Sequence, residues 1–306
     1  MRQIKKFSTP LLIGAGVFAT LEFARRVFRV LKLFNPSRDP VSTWNPEDYG
    51  IPRAQAEEVW IESGDGELLY GWYLRARHPI ASALYCHGNT GNLTNPAHLM
   101  PRLLDCGFNI LLFDYRGFGR STGYATVSGV IADTLAAARY HDAVRPKNLP
   151  SILFGFSIGG AIAAQVIREY PFDGLILQST FSSLPEVTRV AFPRLPLHLV
   201  SGSAFDTAGA LKTLRVPLLI LHGTEDEACP CWMADAMYDA CGTSDKAILR
   251  VEGGLHKDLW DRDGAAMAEV VTAFAKRLCA TARPPAARPS VVAGALRFVR
   301  RQLRHT

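Results

Sequence analysis

The 306-residue sequence predicts an α/β protein with a mostly parallel central sheet and helices on both faces. Between segments with helical spacing, short and almost entirely apolar runs recur, as expected of parallel strands buried on both faces. This alternation is typical of a sheet covered by helices. The composition, 48% hydrophobic and 20% charged, suits one large domain better than two small ones. The runs are SALYCHG, FNILLFDY, SILFGFS, DGLILQS, VPLLILHG and KAILRVEGG.

The chain begins with a hydrophobic and basic segment, residues 1–34. Within it, residues 7–21 carry no charge and follow Arg2, Lys5 and Lys6. This run is shorter than the roughly 20 apolar residues of a spanning helix. The favoured interpretation is a membrane anchor or a helix lying on the membrane. A signal peptide and a helix packed on the domain are the alternatives.

The last segment, residues 281–306, is a second basic tail. A Pro/Arg-rich linker leads to a candidate helix that starts at Ser290 and has an apolar stripe beside its arginines. Such a helix either lies on a membrane or packs its stripe on the protein. Residues 1–34 and 282–306 each carry a net charge of +6, which leaves −6 for the body of the chain. This distribution argues against a nucleic-acid groove and favours tails that meet an anionic surface.

The body of the chain, residues 35–280, should form the domain itself. EVWIES and ELLYGWYLRA form a predicted hairpin around Gly64-Asp65-Gly66, so the sheet should start antiparallel. Residues 180–215 form a short, apolar insert that interrupts the sheet before its last two strands. They predict a small lid over a substrate pocket, the alternative being an ordinary crossover helix with a loop.

Polar residues follow the apolar runs at the carboxyl ends of the strands, where such sheets bind their ligands. One of them, Ser157, sits in the G-x-S-x-G pattern formed with Gly155 and Gly159, directly between a strand and a helix. A nucleophile exposed at a sharp strand-to-helix turn needs small neighbours, which explains the glycines. The competing interpretation is a glycine-rich turn whose serine caps the helix.

A serine hydroxyl needs a base to take its proton, and a histidine is best suited near neutral pH. Of eight histidines, His256 follows the last strand in a glycine-rich loop. Asp226, after the VPLLIL run, is the preferred acid because Ser…Asp…His is the chain order of one known hydrolase class. Its neighbours Glu225 and Glu227 are rivals for that role.

The loop HGNTGN, residues 87–92, follows the first of the apolar runs. The backbone N–H groups of Asn89 and Ile158 could together stabilise an oxyanion. A phosphate-binding loop is the alternative, but it lacks the Gly-Lys-Ser/Thr that the motif requires. The six cysteines show no metal-ligand spacing and are interpreted as mostly reduced core thiols.

Taken together, YCHGNTGN, LLFDYRGFGRSTG, GFSIGGAIA, LQSTFSSL, VPLLILHGTEDEACP and GGLHKDLW resemble the α/β-hydrolase superfamily. They are most similar to its small-capped serine hydrolases, a branch that includes acyl-protein thioesterase-like and serine-aminopeptidase-like enzymes. The resemblance covers roughly residues 58–280 and implies a nucleophile at Ser157, an acid at Asp226 and a base at His256. It also implies that Asn89 and Ile158 form the oxyanion hole, with no metal or organic cofactor. Cys229 departs from the branch, which usually has a β-branched or aliphatic residue before this proline.

We therefore expect a serine hydrolase that cleaves carboxylic esters or thioesters of a small or lipid-like acyl substrate through an acyl-enzyme. We expect the protein to be associated with the inner or cytoplasmic face of a membrane. A soluble cytoplasmic location is the alternative. A peptidase or amidase is the enzymatic alternative. A catalytically silent membrane-associated adaptor is the alternative from another class of protein.

Overall fold

The computed structural model describes residues 33–194, 198 and 202–281. Its main feature is an eight-stranded sheet in the order β8-β7-β6-β5-β3-β4-β2-β1. Only the pairs β1·β2 and β2·β4 are antiparallel in this sheet, so the predicted fold class is confirmed. The strands are β1 Ala56–Glu62, β2 Leu68–Leu74, β3 Ala81–Cys86, β4 Phe108–Phe113, β5 Ser151–Phe156, β6 Gly174–Gln178, β7 Leu218–Gly223 and β8 Lys246–Val251.

Helices cover both faces of the sheet, and the sheet separates the hydrophobic core into two parts. On one face, α2 and α3 pack through residues such as Val130 and Ile162. On the other face, α1 and α8 pack through residues such as Met100 and Phe274. The helices are α1 Met100–Asp105, α2 Val127–Val144, α3 Ile158–Val166, α4 Leu184–Ala191, α5 Thr207–Leu211, α6 Trp232–Ala240, α7 Leu259–Arg262 and α8 Gly264–Thr281, with 3-10 turns at Pro46–Tyr49, Arg53–Gln55 and Ala97–Leu99.

The central strands are buried because helices cover both their faces. Every residue of β3, β4, β6 and β7 is buried, which is why these segments are nearly all apolar in sequence. The edge strand β8 is mostly half-buried or exposed. The predicted hairpin joins β1 to β2 with Glu62 opposite Leu68. The parallel strands therefore deliver their carboxyl ends to one rim.

The N-terminal segment enters the fold at its last residues. Phe34 is 3% exposed and meets Phe118 edge to face, with ring centroids 6.3 Å apart. Asn35–Pro36 then pairs in parallel with Thr90–Gly91. Leu33 and Phe34, which the sequence placed with the N-terminal segment, thus contact the domain. The predictions for residues 1–32 and 282–306 lie outside the described residues.

The predicted lid insert lies between β6 and β7 and contains α4 and α5. Helix α4 starts at a capping serine, because the Ser183 hydroxyl accepts the backbone N–H of Glu186. Residues 195–197 and 199–201 of the insert are outside the described part. All six cysteines are free, and four of them are buried. In the portion of the chain that the structure describes, no helix is long and apolar enough to cross a bilayer.

Candidate active site

Ser157 occupies a sharp turn between β5 and α3. Its backbone angles are φ 55° and ψ −124°, a region that a residue with a side chain rarely adopts. The turn is held in place by the Ser157 N–H, which donates to the carbonyl of Gln178 at 2.9 Å. It is also too tight for side chains at two neighbouring positions. A Cβ at Gly159 would lie 2.0 Å from the Cys86 carbonyl oxygen, and one at Gly155 would lie 2.4 Å from the Gly160 Cα.

The structure brings three of the residues singled out from the sequence into one hydrogen-bonded chain. His256 Nε2 lies 3.1 Å from the Ser157 hydroxyl oxygen. On the other side of the ring, His256 Nδ1 lies 2.8 Å from Asp226 Oδ2 and 3.1 Å from Oδ1. Because a carboxylate only accepts, Nδ1 carries the hydrogen and Nε2 is free to accept from the serine. Glu225 and Glu227, the rival acids, are exposed.

The Asp226 carboxylate is fixed by the loop that follows it. Its Oδ1 accepts the backbone N–H groups of Ala228 at 3.0 Å and Cys229 at 2.8 Å. The buried His222 donates from Nε2 to the Cys229 carbonyl at 2.6 Å and lies 3.5 Å from Asp226 Oδ2. Burial lowers the pKa of His222, so this ring stays neutral. The carboxylate therefore contacts two histidines: His256, which also contacts Ser157, and His222, which bonds the loop that follows Asp226.

Asn89 and Ile158, the two residues expected to hold an oxyanion, both line the cavity beside Ser157. Ile158 is the first residue of α3, and the first N–H groups of a helix have no intrahelical partner. The Asn89 loop is fastened by its pairing with the N-terminal segment, since the Asn35 N–H donates to the Asn89 carbonyl at 2.7 Å. Gly88 lies beside the sharp turn at Ser157, since an added Cβ would be 3.8 Å from the Ser157 Cβ.

A buried histidine–carboxyl contact supports the same loop from below. His87 Nδ1 faces the Gly88 carbonyl at 2.7 Å, so this nitrogen carries a hydrogen. His87 Nε2 lies 3.4 Å from Asp114 Oδ1, which also accepts the Leu93 N–H at 2.6 Å. Burial raises the pKa of the Asp114 carboxyl above its ordinary value, and the neighbouring His87 opposes this shift. Both residues directly follow apolar runs, His87 after SALYC and Asp114 after ILLF, but nothing in the sequence indicates that they meet.

Ser157, His256, Asn89 and Ile158 line a cavity of about 670 Å³. One part of its wall comes from the lid insert and from residues that precede β1, and it is mostly apolar: Leu33, Val41, Phe181, Leu184, Val187 and Phe192. The other part comes from strand ends and the turn before α1: Tyr85, Pro96, His98, Leu99, Phe156 and Gln178. The sequence did not single out Tyr85 or Gln178, although Gln178 is a polar residue that ends an apolar strand.

The chemistry available to this arrangement is proton transfer to and from a positioned hydroxyl. A neutral imidazole can take the serine proton while the carboxylate stabilises the imidazolium that results. Among the described residues, no group of three or more His, Cys, Asp and Glu side chains is arranged to hold a metal ion.

Comparison with known proteins places the chain among hydrolases. The family model described as "Serine aminopeptidase, S33" matches residues 77–201. YfhR of Escherichia coli K12 is 32% identical over 243 residues, covering 75% of this chain and 84% of YfhR. The "Alpha/beta hydrolase domain-containing protein WAV2" of Arabidopsis thaliana is 29% identical over 278 residues, covering 81% of this chain and 86% of WAV2.

Two further matches extend this similarity. A protein of Saccharomyces cerevisiae named as a membrane protein, YNL320W, is 27% identical over 272 residues, covering 85% of this chain and 94% of its own. Among solved structures, the esterase Pf2001 of Pyrococcus furiosus superposes with a TM-score of 0.66 at 22% identity, covering 80% of this chain and 99% of the esterase. At that identity the superposition bears on the fold alone.

Proposed function

The chain belongs to the α/β-hydrolase superfamily, and we propose that it is a serine hydrolase that cleaves carboxylic esters or thioesters through an acyl-enzyme. The observation that carries the proposal is the chain of hydrogen bonds from Ser157 through His256 to Asp226. The strained backbone of Ser157 supports it, because such strain is typical of a residue held for function.

In the proposed reaction, the Ser157 oxygen attacks the substrate carbonyl carbon while His256 Nε2 takes the hydroxyl proton. The carbonyl oxygen becomes an oxyanion held by the N–H groups of Asn89 and Ile158, each donor being worth about 3 kcal/mol in the transition state. The bond to the leaving group breaks, and His256 gives its proton to the departing oxygen or sulfur. A water molecule then repeats the sequence on the acyl-enzyme, which releases the acid and restores Ser157.

The apolar wall of the cavity supports an acyl substrate, since such a surface favours hydrocarbon over water. A membrane location is supported by the sequence of residues 1–32, and the yeast relative YNL320W is also named as a membrane protein. Leu33 lines the cavity, so a membrane-bound N-terminal segment would hold the cavity mouth near the lipid. Acyl groups of membrane-associated molecules are therefore the substrates that we propose.

A peptidase or amidase is the second candidate, favoured by the family model, which is named for a serine aminopeptidase. The deciding experiment gives the full-length protein p-nitrophenyl esters of rising chain length, acyl-thioesters and aminoacyl amides. The proposal expects ester and thioester turnover that disappears in Ser157→Ala, with an unchanged melting temperature. Faster turnover of the amides would favour the peptidase. A folded wild-type protein that cleaves none of them would favour the silent adaptor.

The membrane part of the proposal has its own test. Removing residues 1–34 would also remove Phe34, which is buried in the core, so a deletion of residues 1–30 is the cleaner change. This variant should leave the membrane fraction on sedimentation while keeping its esterase activity. If it still sediments completely with membranes, residues 1–30 are not the anchor.

A further inference from the structure

The cavity has a floor beneath the imidazole of His256 that contains two polar side chains. The ring of Phe156 lies 5.3 Å from that of His256. Gln178 on β6 is the cross-strand partner of Phe156 on β5. Tyr85 on β3 packs its ring 5.0 Å from that of Phe154. Phe154 precedes Phe156 by two residues on β5, so Tyr85, Phe154 and Phe156 lie on the same face of the sheet. Tyr85, Phe156 and Gln178 together form this floor and line the cavity.

The orientation of the Gln178 amide is settled by its neighbour. The indole N–H of Trp260 can only donate, and it lies 3.3 Å from Gln178 Oε1. The amide nitrogen Nε2, with two hydrogens, therefore points away from Trp260. Within the described ranges no acceptor contacts this nitrogen, although Gln178 is 2% exposed.

The hydroxyl of Tyr85 is in a similar position. Tyr85 is 1% exposed, and burial raises the pKa of its phenol, so the hydroxyl keeps its proton. Across the part of the chain that the structure describes, this hydroxyl has no hydrogen-bond partner. The Tyr85 hydroxyl oxygen and Gln178 Nε2 are both unpaired, but neither atom is completely enclosed by protein. Both groups therefore open into the cavity that they line.

The floor lies on the side of the cavity where a leaving group must depart. His256 Nε2 returns its proton to the leaving oxygen or sulfur, so that atom must sit beside the imidazole. Phe156 packs beside this ring and Gln178 is its cross-strand partner, whereas Leu184 and Val187 line the cavity from the lid insert. The leaving group thus passes over the two polar side chains, and the acyl chain faces the lid.

We propose that Gln178 Nε2 and the Tyr85 hydroxyl form a subsite that binds an acceptor oxygen on the leaving group, a few bonds from the scissile atom. The inference rests on the proposed esterase and thioesterase activity and narrows its substrates. A substrate in the cavity displaces water from these two donors. A plain alkyl leaving group would leave both donors unpaired, which is costly, whereas a substrate oxygen accepts from them. Leaving groups that carry an ether, carbonyl or hydroxyl oxygen are favoured over plain alkyl groups of equal size.

The test compares two esters of the same fatty acid whose leaving groups have the same number of heavy atoms, 2-methoxyethyl and n-butyl. The full-length wild-type protein is compared with Tyr85→Phe and Gln178→Met. Each variant should lower the methoxyethyl-to-butyl ratio of kcat/KM about fivefold to tenfold, the effect of one hydrogen bond. Turnover of the butyl ester should stay within about twofold. Because the result is a ratio between variants, intrinsic differences in ester reactivity cancel.

Thr188→Val is the matched control, since it removes a hydroxyl from the lid wall of the same cavity and should leave the ratio unchanged. Unchanged ratios in Tyr85→Phe and Gln178→Met, as expected if the two groups hold only water, would overturn the subsite. A drop confined to Thr188→Val would overturn the assignment of the leaving group to the floor. Should Gln178→Met fail to fold, Tyr85→Phe decides the question alone. A wild-type protein inert toward both esters would instead count against the proposed function.

Discussion

Changing Asp226 to asparagine should reduce kcat about 10⁴-fold while leaving the protein folded. The asparagine has nearly the same shape as the aspartate, so its side chain can occupy the same place. Its oxygen can keep the bonds that Asp226 Oδ1 accepts from the N–H groups of Ala228 and Cys229. Turning the amide round would break both bonds, at a cost of about 1 kcal/mol each. The amide nitrogen is therefore held facing His256.

The loss of activity follows from the proton on the imidazole. An NH₂ group 2.8 Å from His256 Nδ1, where the carboxylate oxygen now lies, requires Nδ1 to accept. The ring hydrogen then moves to Nε2, which faces Ser157 and can no longer take its proton. In serine hydrolases this reversal costs about 10⁴ in kcat, which corresponds to about 5 kcal/mol.

The assay is the steady-state hydrolysis of a p-nitrophenyl ester, with thermal unfolding recorded for each variant. Glu227→Gln is the matched control, since it makes the same chemical change at an exposed neighbour and should leave kcat nearly unchanged. An Asp226→Asn protein that keeps more than a tenth of the wild-type kcat would refute the role of Asp226 in setting the tautomer.

Three further changes test the framework around the site. Gly159→Ala should abolish activity or folding, because the new Cβ would meet the Cys86 carbonyl at 2.0 Å. Arg116→Met should lower the free energy of unfolding in urea by about 3–5 kcal/mol, since it removes the partner of the fully buried Asp133 carboxylate. Asp65→Ala removes the exposed partner of the same arginine and should barely change the melting temperature. His141→Gln should flatten the loss of stability between about pH 6.5 and pH 3, because burial, and to a lesser extent a neighbouring arginine, lowers the pKa of His141 to about 3.

The sign of the pH effect follows from proton binding. Between those pH values the unfolded chain binds a proton at this histidine that the folded chain does not. The free energy of unfolding therefore falls on acidification, by up to about 1.4 kcal/mol per pH unit. Equal slopes for wild type and His141→Gln would contradict this role. The control for Gly159→Ala is Gly64→Ala, since nothing lies within 4 Å of the Cβ added at Gly64. Equal effects of Gly159→Ala and Gly64→Ala would contradict the steric explanation.

The sequence was sufficient for the sheet and for the residues that meet at its rim. Buried parallel strands are continuous apolar runs, and Ser157 and Asp226 each follow such a run. His256 follows the edge strand β8, which is mostly half-buried or exposed. Their convergence is then a consequence of the parallel order, in which all carboxyl ends reach one edge. The glycines beside Ser157 predict the tight turn, because the need for residues without a side chain at these positions is visible in the local sequence.

Contacts between segments far apart in sequence could not be foreseen in this way. The pairing of Asn35 with the Asn89 loop leaves no periodic pattern, because it spans two residues. The meeting of His87 with Asp114 depends on the neighbouring positions of β3 and β4, which the strands' own sequences do not specify. Tyr85 and Gln178 resemble ordinary residues of buried strands until the cavity beside them is known.

The central claim is that Ser157 is a nucleophile activated by His256. The most direct measurement is labelling of the full-length protein with a fluorophosphonate, followed by peptide mass spectrometry. We expect one adduct, on Ser157, that is lost in Ser157→Ala and forms far more slowly in His256→Ala. An intact, folded wild-type protein that takes up no label, or one labelled at another residue, would contradict the claim.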